Sequence, residues 1–74
     1  GIKLMAVKMW TKPETQSTIK QLRDAGYTIK KVHGIYKIID DETNEPWIKD
    51  GKPLFTAIPD TFGYLIHYHA DLMG

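Results

Sequence analysis

The chain has no cysteine and a single serine, Ser17. Without thiols there is no disulfide framework, no thiolate nucleophile and no cysteine-ligated zinc. Ser17 falls inside a predicted helix with no nucleophile elbow around it, so serine chemistry is not signalled. Gly34, Gly51 and Gly63 stand alone, so no glycine-rich phosphate loop can form. No uncharged apolar run approaches the ~20 residues a bilayer-spanning helix needs. The lysines near the start do not frame the apolar stretch of a signal peptide. Charge of one sign is also lacking. Ten Lys and Arg against nine Asp and Glu leave a formal +1, with pI ≈ 8.2. That pI falls below the value of about 9 expected of a strongly nucleic-acid-binding domain.

What is present suits one small globular domain: 74 residues, 42% hydrophobic and 26% charged. A core of this size supplies only about 3–5 kcal/mol net, and no covalent staple adds to it. Packing must come from Ile, Leu and Val together with Trp10, Trp47, Phe55, Phe62 and four tyrosines. The absence of thiols is compatible with a reducing, cytoplasmic setting.

Thr11 with Glu14 forms a capping box, and Pro13 sits in the first turn, where its missing N–H costs nothing. Ile19, Leu22 and Ala25 recur at helical spacing, and Gly26 is a fitting stop. The pattern predicts a helix over 12–25. After Gly26 the period becomes two. Residues 27–33 and 35–40 read as a hairpin around Gly34, and 41–46 as a polar loop. Asp50-Gly51 has the signature of a type I′ turn. Residues 54–58 and 64–69 read as strands, with a turn from Pro59 to Gly63, and 70–74 as a helical turn or frayed end. The chain opens on Gly1 rather than Met, with Met5 and Met9 as alternative starts, so residues 1–10 read either as a leader or as a weak strand.

The expected fold is therefore α+β: one N-terminal helix packed on a three- to four-stranded antiparallel meander, with room for an extra N-terminal strand. The expected core is Ile19, Leu22, Ile29, Ile38, Leu54, Phe55, Leu65 and Ile66. Strand register is the weak point, since a one-residue slip exchanges the two faces. Trp47, beside the Asp-Gly turn, is expected to be half-buried.

Charge is unevenly laid out. Residues 1–37 hold eight basic and two acidic residues, +6; residues 38–74 hold two basic and seven acidic, −5. Lys12, Lys20 and Arg23 on the helix, with Lys30, Lys31 and Lys37 on the hairpin, are candidates for phosphate contacts, and Tyr27 and Tyr36 for stacking on bases. The plainer alternative is a solvated helix face and a lysine-guarded sheet edge. Asp40, Asp41, Glu42 and Glu45 form an acidic cluster without the spacing of an EF-hand loop, and read as a solvated loop or a contact for a basic partner.

His67 and His69 lie two apart on a predicted strand and share a face. They are weak metal candidates that would need His33 or Asp71 as a third ligand, and no metal or other cofactor is called for. A small Tyr/His/Lys nuclease or a metal-dependent enzyme using His67 and His69 is the third function class to weigh, behind a non-catalytic nucleic-acid-binding module and a protein-interaction or inhibitor module, the latter compatible with a homodimer. The expectation is a binding module rather than an enzyme, with nucleic acid or a protein as partner and no membrane.

The stretch IKQLRDAGYTIKKVHGIYKI, 20 of the 74 residues, resembles the opening of HicA-type messenger-RNA interferase toxins. In that family a helix, an Ala-Gly-aromatic turn and a Gly-centred hairpin follow in this order. The resemblance implies a small sheet with a helix on one face, similar to double-stranded-RNA-binding folds. The family's catalytic His follows the hairpin Gly-Ser, whereas here Ile35 and Tyr36 follow Gly34 and His33 precedes it. The toxin activity is therefore carried onto no residue. The size also resembles short reading frames of phages and other mobile elements.

Overall fold

The computed structural model describes residues 5–69 and Leu72, with side chains from Met9 onward. In chain order it runs β1 (Met5–Trp10), α1 (Lys12–Asp24), β2 (Thr28–Val32), β3 (Ile35–Asp40), β4 (Glu45–Pro46), β5 (Ile48–Lys49), β6 (Lys52–Pro53), β7 (Phe55–Asp60) and β8 (Gly63–His69). Six strands form an antiparallel sheet in the order β1-β8-β7-β3-β2, with β4 also paired to β3; β5 and β6 make a separate hairpin. The fold is α+β as expected, but has more strands than a three- to four-stranded meander. The extra ones are β1 and the short β4, β5 and β6. Residues 5–10 form a strand on β8 (Met5↔His69 to Trp10↔Tyr64). The expectations for residues 1–4 and for most of 70–74 lie outside the described residues.

The helix starts where its cap chemistry puts it. The Thr11 hydroxyl accepts from the Glu14 N–H at 3.3 Å, and the Thr11 N–H donates to Glu14 Oε1 at 3.2 Å. Its buried stripe is Thr15, Ile19 and Leu22; Ala25, expected in that stripe, is the exposed cap. Thr15 can be buried because its hydroxyl donates to the Thr11 carbonyl at 2.9 Å. The chain then leaves through Gly26 at φ 103°, a conformation glycine adopts without a Cβ penalty.

Both expected tight turns are of the primed kind. His33-Gly34 has φ 51° and 79°, and Asp50-Gly51 has 53° and 77°. Positive φ at both central residues gives the twist that two flanking strands share. The loop 41–46 is shorter than expected, because Glu45 and Pro46 pair with Asp40 and Ile39 of β3. The other end of β3 pairs with β7 through Tyr36↔Ala57 and Lys37↔Thr56. The excursion from β4 to β6 therefore fills the seam where β3 and β7 part.

Strand alternation assigns the two faces. Toward α1 point Ile29, Ile38, Phe55, Ala57 and Ile66, which with Ile19, Leu22 and Leu54 form the core. Trp10 and the four tyrosines pack at its margin. Leu65, expected in the core, is only half-buried, because its neighbour Ile66 takes the helix side and one strand residue cannot share that side with the next. Phe62 departs furthest from expectation: 85% of its surface is in solvent. No helix among the described residues is long and apolar enough to cross a membrane.

Candidate nucleic-acid interface

At about 100° per residue, Lys12, Gln16, Lys20 and Arg23 fall on one flank of α1; Glu14 lies on the far side, and Asp24 stands one turn beyond Lys20 on the basic side. The Arg23 guanidinium donates to the Ile29 carbonyl at 3.0 Å, which turns the basic flank toward β2. Lys31 projects from β2 on the same sheet face, with its ammonium 5.4 Å from the centroid of the Tyr36 ring. Tyr36 meets Tyr64 at 5.9 Å between centroids, across the small side chain of Ala57. Lys12, Lys20 and Arg23 thus line one flank of α1 over about 16 Å, and Lys31 and Tyr36 lie on the sheet face that α1 covers.

The remaining basic and aromatic candidates do not join them. Lys30 and Lys37 are cross-strand partners on the face opposite α1, and Lys30 Nζ donates to Asn44 Oδ1 at 3.2 Å. Tyr27 lies at the far end of the helix, 6.2 Å from the Trp47 ring. These two rings, with Lys49, Leu54 and Leu72, line a cavity of ≈ 110 Å³. Trp47 is 39% exposed, about as open as expected beside its turn.

The charge imbalance along the sequence does not become a clean polarity along the strands. Asp40, Asp41, Glu42 and Glu45 turn the chain after β3, yet Lys30 reaches Asn44 in that same turn, and Asp60 stands at the opposite end of the sheet. Two of these acids shape the turn: Asp40 Oδ1 accepts from the Glu42 N–H at 2.9 Å, and Asp41 Oδ1 from the Thr28 hydroxyl at 2.8 Å.

The histidine pair shares a face, as strand geometry requires, but it is the face away from α1. His69 is 2% exposed, and its Nε2 lies 2.9 Å from Asp50 Oδ2. His33 stands at the turn at the opposite end of the sheet, and Asp71 lies outside the described residues. Among the described residues, no group of three or more His, Asp or Glu is placed to hold a metal ion.

Two features escaped the sequence reading. One is an apolar row across the face away from α1: Met9, Leu65 and Ile58 are in register, and Ile35 and Val32 continue it one step beyond the Tyr36↔Ala57 pair. Alternating apolar positions in five strands were the signal for it, but it appears only once registers are known. The other is Phe62, whose exposure no composition argument reveals. No family model, curated protein or solved structure matches the chain, so the likeness to HicA-type toxins remains confined to one stretch.

Proposed function

We propose that this protein is a non-catalytic nucleic-acid-binding module of the cytoplasm that holds phosphates along the flank of α1 from Lys12 to Arg23. The observation that carries this reading is the row of Lys12, Lys20 and Arg23 along one helix flank, with Lys31 on the sheet face that α1 covers. Four cations on this side of the molecule can follow a phosphate backbone.

Anisotropy titration of labelled single-stranded DNA, duplex DNA and duplex RNA at low and moderate salt tests this. The double variant Lys12→Glu/Lys20→Glu reverses two exposed charges at positions where Glu favours the helix as Lys does. It is expected to weaken binding roughly tenfold or more. Lys30→Glu/Lys37→Glu, on the opposite face, carries the same change of charge and is expected to weaken it far less. Absence of binding to all three probes at low salt, or equal losses in the two variants, overturns the proposal.

A second reading has its own observation. The row Met9, Leu65, Ile58, Ile35 and Val32 lies on the sheet face opposite α1, and Met9 is 48% exposed. Such a row fits a protein partner or a second copy of the chain. A solution mass that rises with concentration and becomes monomeric in Leu65→Lys supports it; a monomer at every concentration removes the second copy.

A further inference from the structure

Asp60 and Gly63 pair directly, so Thr61 and Phe62 form a two-residue turn between β7 and β8. Nothing in the turn requires an aromatic residue. Tight hairpin turns favour Gly, Asn and Asp. Here the glycine conformation falls on Gly63, at φ 151°. A phenylalanine kept 85% in solvent gains nothing for the core. The four tyrosines, by contrast, are all packed at the margin of the core, and Trp10 and Tyr68 face each other at 6.2 Å. Tyr36 is tied to Tyr64 and Lys31, and Tyr27 to Trp47.

The turn also has a defined neighbour. Trp10 pairs with Tyr64, and a Cβ on Gly63 would run into the Trp10 carbonyl oxygen and lie against Thr11. The first turn of α1, with Lys12, therefore abuts the turn that carries Phe62. An open ring next to the basic flank is a platform without a stack. Asp60, the acid on this turn, repels phosphate from the turn and favours a base there, with the backbone running toward Lys12.

We infer that Phe62 stacks on an unpaired base of a single strand whose phosphates lie along Lys12 and Lys20. This rests on the nucleic-acid reading above and narrows it to a strand with exposed bases. Base–aromatic stacking depends little on sequence, so the contact would be tolerant of base identity.

The test uses a short labelled single strand, the matching duplex, and a single strand carrying 2-aminopurine, whose fluorescence is quenched by stacking. Phe62→Ala removes an exposed ring and leaves the core intact. It is expected to weaken single-strand binding roughly tenfold, abolish the added quenching and leave the salt dependence unchanged. Duplex binding is expected to stay within about twofold, and Phe62→Trp to restore both affinity and quenching. If the wild-type chain binds the single strand and Phe62→Ala binds equally well, or if duplex binding falls as much, the stacking assignment is overturned while the nucleic-acid reading stands. If Phe62→Ala instead abolishes self-association with single-strand affinity intact, the ring belongs to the apolar row and the assignment is likewise overturned. Failure of the wild type to bind any probe overturns both.

Discussion

His69 Nε2 lies 2.9 Å from Asp50 Oδ2, joining the last residue of β8 to the tip of the β5–β6 hairpin. One partner is almost wholly buried and the other is 58% exposed. The contact spans the excursion that fills the seam beside β3. The same region is held by backbone bonds from the His69 N–H to the Leu54 carbonyl (2.9 Å) and from the Leu54 N–H to the Trp47 carbonyl (2.8 Å).

Substitution at Asp50 separates the hydrogen bond from the turn geometry. Asp50→Gly keeps the positive φ but takes the carboxylate from a buried imidazole, and is expected to cost about 1 kcal/mol. Asp50→Ala adds the strain of a left-handed alanine, for about 2 kcal/mol in total. Asp50→Asn keeps both an acceptor and a tolerant backbone and is expected to cost less than either. Urea denaturation of the three variants gives the order, and an Asp50→Gly protein as stable as the wild type would show that the contact contributes nothing net.

Two glycines with positive φ should respond very differently to alanine. At Gly26 a Cβ would meet nothing within 4 Å, so Gly26→Ala pays only the conformational cost, about 1 kcal/mol. At Gly63, the buried first residue of β8, the Cβ would collide with the Trp10 carbonyl, a backbone atom that cannot swing aside. Gly63→Ala is expected to cost roughly 3 kcal/mol or more, a large part of the stability of a chain this small. Thermal unfolding that placed the two variants together would contradict the tight approach of β1 to β8.

Local signals made parts of the fold legible. The Thr11–Glu14 capping box, Gly26 and the two turns at His33-Gly34 and Asp50-Gly51 are chemical events within four residues, and each appears in the structure. Pairing over distance was not legible. Nothing local shows that β1 lies on β8, since the partners are more than 50 residues apart and the helix intervenes. The same limit explains why Leu65 was placed with the core and why Lys30 was grouped with Lys31. Adjacent strand residues look alike in composition but face opposite ways. For the candidate interface, the sequence supplied the cations and the register divided them. Phe62 was counted as packing material because hydrophobicity alone does not distinguish a turn tip from a core.

That division gives a quantitative expectation for salt. Lys12, Lys20 and Arg23 line one flank of α1 and Lys31 lies on the same side of the sheet, so a single strand lying across them would displace about four counterions, and the slope of log K against log salt would be about −3. Lys20→Gln, which keeps helix propensity and removes one charge from the exposed flank, is expected to make that slope shallower by about 0.7. Lys37→Gln removes the same charge from the opposite face and should leave the slope unchanged. Phe62→Ala should lower the affinity at every salt concentration in parallel, because a stacked ring releases no counterion. Titrations at four or more salt concentrations for these three variants separate the phosphate contacts from the stacking contact. An equal change of slope in Lys20→Gln and Lys37→Gln would mean that only net charge matters and that the helix flank is not a site.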